Sequence, residues 1–565
     1  MSLSRHVDPE DIIHHLQDLR IPAQSSYSST GQTSHLTPFS HPYASQRDIP
    51  RYQIPADGAP GDTVYEMLKD ELDLDGRPNL NLASFVDTYL EDNAQKLMAE
   101  NMGKNLADND EYPAMLSISN RCVSILAHLW GVQKRKQKET EGGAAQKDDK
   151  AVGSPTVGSS EAIHLGGLAM KRRWQERRRA AGKDTLKPNI VMGANAQVAL
   201  LKFARYFEVE ERVLPVSEKS KFCLDPELVR ESVDENTIGV FVILGSTYTG
   251  HYEPVEAVSE ILDEYQEKTG VDIPIHVDAA SGGFVVPFSH AGTGGWKWNF
   301  ELPRVVSINA SGHKYGLVTA GVGWIVWRDE SCLPKDLIFE LHYLGGTEES
   351  YTLNFSRPGA QVIVQYYNLI HLGFSGYREV MENCLANARI LSQSLEATGW
   401  YTCVSDIHRR RSPTTITTPL PNEVHTETSA SYAAGLPVVA FRLTDEFRRE
   451  YPHIKQQTIS LLLRARQWII PNYALPPGEN GTEILRVVVR VSMSFDLLDR
   501  LVTDIVQVTE TLMDKDEVDL SVLREQHRKG WPVVGKGKGK GEKKKEEAER
   551  EGEGKMQDGI HRSVC

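Results

Sequence analysis

Between residues 161 and 309 short apolar runs alternate with amphipathic stretches, and this rhythm limits the possible folds more than any other feature of the chain. Residues 189–192, 238–244, 273–278 and 305–309 read as strands, while 161–179, 196–207 and 254–269 read as helices. Near-continuous apolar strands that alternate with helices belong in a mainly parallel sheet covered on both faces, the α/β class. After about residue 385 the rhythm changes to long helices with a few strands, for instance 454–468, 484–491 and 495–513, which predicts a smaller C-terminal α+β domain.

Composition supports an extensive folded core, and at roughly 100–200 residues per domain the length predicts two or three domains. The 565 residues are 40% hydrophobic and 8% aromatic, enough for an extensive core and too much for a mostly disordered chain. With 63 Lys and Arg against 77 Asp and Glu, the net charge of −14 argues against coating nucleic acid. The longest apolar run, 238–244, is far shorter than the roughly 20 residues of a membrane span, and residues 1–20 do not read as a secretory signal. Six cysteines without a C-x-x-C pair predict neither a metal site nor a disulfide framework, and a reducing, cytoplasmic setting is expected. Residues 22–50, 134–150, 409–431 and the stretch from 531 onward read as peripheral. The expected organisation is an arm at 1–75, a large domain at 76–385, a small one at 386–515 and a lysine-rich tail at 516–565.

Three segments carry chemistry. Lys314 follows a strand and a Ser-Gly pair, and an apolar Gly-rich strand at 321–327 comes next. Desolvation in such a place disfavours the ammonium and frees the amine to condense with an aldehyde. Asp278 ends an apolar strand, at the edge where open α/β sheets place their ligands, and is suited to partner a pyridinium nitrogen. Gly158, Ser159 and Ser160 open a helix whose free N–H groups make a phosphate cradle. A phosphate site, an aldehyde-binding lysine and a pyridinium partner together describe pyridoxal 5′-phosphate (PLP).

The blocks Gly158-Ser-Ser-Glu-Ala162, His276-Val-Asp-Ala-Ala-Ser-Gly-Gly-Phe284, Ser311-Gly-His-Lys-Tyr-Gly316 and Asn354-Phe-Ser-Arg-Pro358 resemble the signature blocks of glutamate decarboxylases. The resemblance runs from about residue 77 to 513 and implies a fold-type I PLP enzyme that converts L-glutamate to 4-aminobutyrate and CO2. It implies that Lys314 holds the cofactor aldehyde, that His313 approaches the phosphate and that Asp278 keeps the ring nitrogen protonated. By the same resemblance Gln197 is expected to pack on the ring face, Thr247 to flank the ring, and Ser356 to reach a phosphate in the neighbouring subunit, which makes a homodimer or higher even oligomer the expected assembly. Arg486 is expected to bind a substrate carboxylate, and Ser84, Phe85, Asn105 and Asp108 match positions that contact the distal carboxylate. Tyr343 matches a flap tyrosine that shields and protonates the reacting carbon.

The sequence departs from that family in places. Leu200 and Leu201, just after Gln197, stand where an aromatic and a polar residue are usual, and Thr319 stands where plant-like members have Tyr, so rate and pH dependence are open. Aspartate or cysteine sulfinate is an alternative substrate, and a non-catalytic PLP-fold scaffold an alternative of another class. The tail at 526–545 places Trp531 among basic residues, loosely like the calmodulin-binding tail of plant members. Pro532 and the alternating glycines oppose a helix there.

Overall fold

The computed structural model describes residues 53–55, 58–108, 110–132, 151–290, 295–341, 348–411 and 428–514. Two units divide the chain, Met1–Gly76 and Arg77–Cys565. In the first, a helix spans Gly61–Leu72, with Asp62 in its first turn and Lys69 in its last, a charge order that suits the helix dipole. None of its residues is buried.

The second unit is built on a seven-stranded sheet. Its strands are β1 (Gly153–Thr156), β2 (Asn189–Gly193), β3 (Glu210–Leu214), β4 (Thr237–Ile243), β5 (Ile275–Asp278), β6 (Val305–Ser311) and β7 (Gly323–Trp327), in the order β1-β7-β6-β5-β4-β2-β3. The five strands from β2 to β6 run parallel, while β7 and β1 join antiparallel at one edge. Every residue of β4, β5, β6 and β7 is buried, which is why these strands read as apolar runs. The opposite edge strand, β3, begins Glu-Glu-Arg and exposes both its first glutamate and Val213, so no apolar run marks it; charged residues on an edge discourage further pairing.

A long helix, Ala360–Ala397, leaves the helical conformation only at Gly373 (φ 58°). It passes straight through the boundary expected at residue 385. Its residues up to Met381 pack with the large sheet's core, and from Cys384 onward they pack with a second core around Phe441, Leu463, Trp468 and Leu501. The packing partner therefore changes near 385 while the backbone continues. That second core covers an antiparallel sheet of β10 (Tyr401–Cys403), β11 (Val438–Leu443), β13 (Glu483–Val488) and β12 (Asn472–Ala474), and a short pair, β8 (Phe339–Leu341) with β9 (Glu348–Ser350), stands apart. No described helix is long and apolar enough to cross a membrane.

Candidate active site

The parallel register of β5 and β6 sets His276 against Ser307 and Asp278 against Asn309. Side chains two apart share a face, so these four form one buried polar ladder. Asn309 Nδ2 donates to Asp278 Oδ1 at 2.9 Å, and the Ala280 N–H donates to the same oxygen at 3.1 Å. Asn309 Oδ1 therefore accepts from His276 Nε2 at 2.8 Å, which leaves His276 Nδ1 to accept from Ser307 Oγ at 2.7 Å. Burial pushes the His276 imidazole down to about 4. Burial also raises the Asp278 carboxyl above its ordinary range, with Asn309 and the Lys314 charge pulling it back. Among the described residues Asp278 Oδ2 accepts no hydrogen bond, which leaves one carboxyl oxygen uncommitted at the strand end. Gly166 of the helix Ser159–Ala180 lies against the His276 ring, where a Cβ would collide with it.

Lys314 sits three residues beyond β6, is 9% exposed, and has its Nζ 3.4 Å from Ser281 Oγ and 5.3 Å from the Phe85 ring centre. Its turn closes through Leu317, a non-glycine residue at φ 63°. Such a conformation persists when its surroundings over-determine it. Here Asn368 Nδ2 donates to the Leu317 carbonyl at 2.6 Å, and Gln365 and Tyr377 both donate to the Gly316 carbonyl at 3.0 Å. His313 is 8% exposed, and its Nδ1 is buried without a hydrogen-bond partner. Burial first, and then the Lys314 charge, push its imidazole down to about 4, so it is neutral near pH 7.

The expected cradle opens the helix Ser159–Ala180, with Gly158 as its N-cap. Ser159 Oγ lies 2.7 Å from Ser311 Oγ, the last residue of β6, which fixes the helix start beside the lysine strand. Ser160 is exposed. A Cβ on Gly323 would lie 2.7 Å from the Ser159 nitrogen, so β7 can pass the cradle only with glycine there. Glu161 reaches back to the Val157 N–H at 2.8 Å and across to the Asn354 N–H at 2.9 Å, which ties the 354–358 block to the cradle.

The other wall comes from the small sheet and from residues 83–86. Arg486, on β13, is 1% exposed; Nη1 donates to the Thr247 carbonyl at 2.8 Å and Nη2 to the Ala83 carbonyl. Its Cζ lies 5.1 Å from the Phe85 ring centre and 5.6 Å from that of Tyr473, and its Nε is buried without a partner. No carboxylate pairs with it among the described residues. Arg490 is equally buried and holds the carbonyls of Pro78, Asn81 and Val86, so neither arginine lies on a wet face. Lys314 and Arg486 thus share the Phe85 ring. Gln197 donates to Thr247 Oγ1.

Asn105, Asp108 and Ser356 form a separate group. Asn105 Nδ2 reaches Asp108 at 3.2 Å and Ser356 Oγ at 3.4 Å, while its Oδ1 accepts from the Arg357 N–H at 3.0 Å. Ser356 is exposed. Ser84 has its Oγ turned to the Val86 N–H at 3.1 Å, beside Phe85. Tyr343 lies outside the described residues, as do the tail, the 22–50 arm and the 134–150 loop.

A model of the pyridoxal-dependent decarboxylase conserved domain matches residues 62–410. Glutamate decarboxylase of Saccharomyces cerevisiae is 47% identical over 523 residues, covering 90% of this chain and 87% of the relative. The chain belongs to the pyridoxal-dependent decarboxylases. Among them, the glutamate decarboxylase of Petunia hybrida is 45% identical over 85% of this chain and 87% of its own length. The solved glutamate decarboxylase of Lactobacillus brevis superimposes with a TM-score of 0.72 at 35% identity, covering 84% of this chain and 97% of that one.

PLP fits what this decarboxylase presents. Asp278 Oδ2, uncommitted at the end of β5, offers a pyridine nitrogen a carboxyl partner. The Ser159 helix start, with the buried, unsatisfied Nδ1 of His313 near it, suits a phosphate: a Cβ on Gly158 would lie 3.3 Å from His313 Cε1. Leu200 is buried, with Ala199, in the core between helix and sheet, alongside Ile163, Met192 and Phe203. That packing accounts for its apolar character. Several contributors were not anticipated: Asn309, Ser307 and Ser311 lie in the segment around the lysine and alternate on one strand face, a signal present in the sequence, whereas nothing local marks Tyr473.

Proposed function

We propose that this decarboxylase acts on L-glutamate, giving 4-aminobutyrate and CO2. The observation that carries the reading is Arg486, a buried guanidinium that has no carboxylate partner among the described residues and faces the same ring as Lys314. A substrate carboxylate supplies the missing anion, and such a charge-assisted contact contributes roughly 1.5–3 kcal/mol net. When bound, PLP supplies the electron sink that accepts the pair released as the Cα–carboxylate bond breaks.

The chain's own residues arrange the rest. Lys314 would provide the amine that holds the cofactor aldehyde, and Asp278 would partner the ring nitrogen. Gln197, tethered to Thr247, would flank the ring, and Phe85 lies against both Lys314 and Arg486. The overall change is loss of CO2 and gain of one proton at Cα. His313 is neutral above about pH 4 and is a weak proton source, which favours Tyr343 for that delivery. Ser84, Asn105 and Asp108 are proposed for the distal carboxylate. Ser356 is proposed to reach the phosphate of a partner copy, so the working unit is a homodimer or a higher even oligomer. We place the protein in the cytoplasm.

CO2 release measured on L-glutamate, L-aspartate and cysteine sulfinate tests the substrate; a rate on aspartate well above that on glutamate overturns it. An absorbance scan of the purified protein separates enzyme from scaffold, because a scaffold shows no cofactor band even after PLP is added. Light scattering after gel filtration tests the assembly, and an active monomer refutes the role given to Ser356. For the tail, the calmodulin reading requires a change in Trp531 fluorescence when calcium-loaded calmodulin is added to the tail peptide.

A further inference from the structure

Away from the substrate site, Glu396, Cys403 and His408 bring a carboxylate oxygen, a sulfur and an imidazole nitrogen within 4.8 Å of one another. Glu396 is the penultimate residue of the helix Ala360–Ala397, Cys403 ends β10, and His408 lies in the turn that follows. The helix stops at Gly399, whose φ of 73° lets the chain reverse and return Cys403 to Glu396. The spacing, E-x6-C-x4-H, resembles no short zinc motif, so cysteine counting does not detect it.

The three side chains are not fully used by one another. Glu396 Oε1 is occupied by the Cys403 N–H at 3.1 Å and by Arg409, which leaves Oε2. His408 is only 6% exposed, and neither ring nitrogen makes a hydrogen bond of acceptable geometry, although Nε2 lies 3.2 Å from Glu396 Oε2. That approach has the distance of a hydrogen bond without its alignment. Cys403 Sγ makes only a weak contact with the Ser392 carbonyl at 3.6 Å, which a small rotation would release.

We propose that Glu396, Cys403 and His408 bind one zinc ion, with a solvent molecule as the fourth ligand. Sulfur, nitrogen and oxygen donors together suit a borderline-soft cation, whereas calcium and magnesium prefer oxygen alone. Tetrahedral zinc with ligand bonds of about 2.0–2.3 Å needs its donors roughly 3.3–3.8 Å apart, so the group must contract by about 1 Å. The Cys403 thiol gives its proton to solvent as the sulfur takes the metal, and Glu396 and His408 bind in their deprotonated forms. The ion joins the end of the long helix to β10 and to the turn beyond it, and so clamps the small domain.

The test uses the full-length, PLP-loaded protein, freed of metal with a chelator and titrated with zinc alone against a chromophoric competitor. One zinc per chain at sub-micromolar affinity is expected, with X-ray absorption showing a single sulfur near about 2.3 Å. His408→Gln and Cys403→Ser should each weaken binding about 100-fold or more, and Cys565→Ser should leave it unchanged. Zinc should raise the melting temperature of the wild type and not that of His408→Gln. Absence of stoichiometric binding at micromolar zinc overturns the proposal. So does a site without sulfur, wild-type affinity in His408→Gln, or loss of the sulfur signal in Cys565→Ser. The wild-type measurements decide the matter even if a variant fails to fold.

Discussion

At the strand end of the site, Ser307, His276, Asn309 and Asp278 are buried and hand hydrogen bonds from one to the next, all within one chain. At the other end, Asn105, Asp108 and Ser356 cluster near the surface and are held by one another and by backbone. The first arrangement follows from sheet register, which fixes four side chains at once. The second joins two loops 251 residues apart, and its exposed serine has room for a second surface. The strand end should therefore carry the chemistry and tolerate no change, while the loop end should tune affinity and respond to assembly.

The largest expected effect tests the first half of that contrast. Lys314→Ala should lower CO2 release from glutamate by roughly 10⁴-fold or more, and Asp278→Asn by about 10²–10⁴-fold, because both are proposed to touch the cofactor and the losses should fall on kcat. Equal loss from a change at Ser356 would remove the distinction between the ends.

A second test concerns what the buried end does to stability. His276 has its pKa lowered from 6.5 to about 4, so the stability it contributes is present above pH 6.5 and is lost as pH falls toward 4. Glu253 behaves oppositely. It accepts from Asn195 Nδ2 and the N–H groups of Leu224 and Ile243, the last on the strand beside Asp278, and burial raises its pKa from 4.5 to about 7. Its contribution is present below pH 4.5 and is lost as pH rises through 7. Each shift corresponds to about 3 kcal/mol, and between pH 4.5 and 6.5 the two slopes oppose. Urea midpoints of His276→Gln should therefore fall with rising pH across that window, and those of Glu253→Gln should rise.

How much of this was legible in the sequence follows from the same physics. Strands buried on both faces leave apolar runs, so β2, β4, β5 and β6 and the residues at their ends could be placed. The edge strand β3 and the crossing of residue 385 by the helix Ala360–Ala397 could not, since neither has a local signature. Asp278 and Lys314 each have ordinary roles when taken alone, as a helix cap or a turn lysine, and stood out because together with the helix start at 158–160 they compose one cofactor site. Asn309 did not, because a polar residue inside a strand gains its meaning from the neighbouring strand's register. The proximity of Asn105 to Ser356 and that of Cys403 to His408 and Glu396 are tertiary facts, set by loops and a helix stop.

Arg486 stands between the two ends, since the small sheet carries it and its side chain lies at the Phe85 ring. Arg486→Lys keeps the charge but loses the planar fork that reaches both Thr247 and Ala83 while leaving Nε to spare. A loss of about 1.5–3 kcal/mol is expected, which lowers kcat/KM for glutamate roughly 10- to 150-fold. If kcat/KM for a substrate analogue lacking one carboxylate falls equally, Arg486 holds the other carboxylate.

The smallest effect belongs to the open end. Ser356→Ala removes one hydroxyl from an exposed position, so within a single chain it should change stability by no more than a few tenths of a kcal/mol. If that hydroxyl instead meets the phosphate of a partner's cofactor, its loss should weaken PLP binding by about 0.5–1.5 kcal/mol, or roughly 2- to 12-fold. Dissociation of PLP measured against protein concentration distinguishes the two cases. With a cross-subunit contact, the wild type should release PLP faster on dilution below its assembly constant, and the variant should show this faster release at all concentrations. A variant indistinguishable from wild type at every concentration would confine Ser356 to its own loop, leaving the phosphate to Ser159 and its helix start.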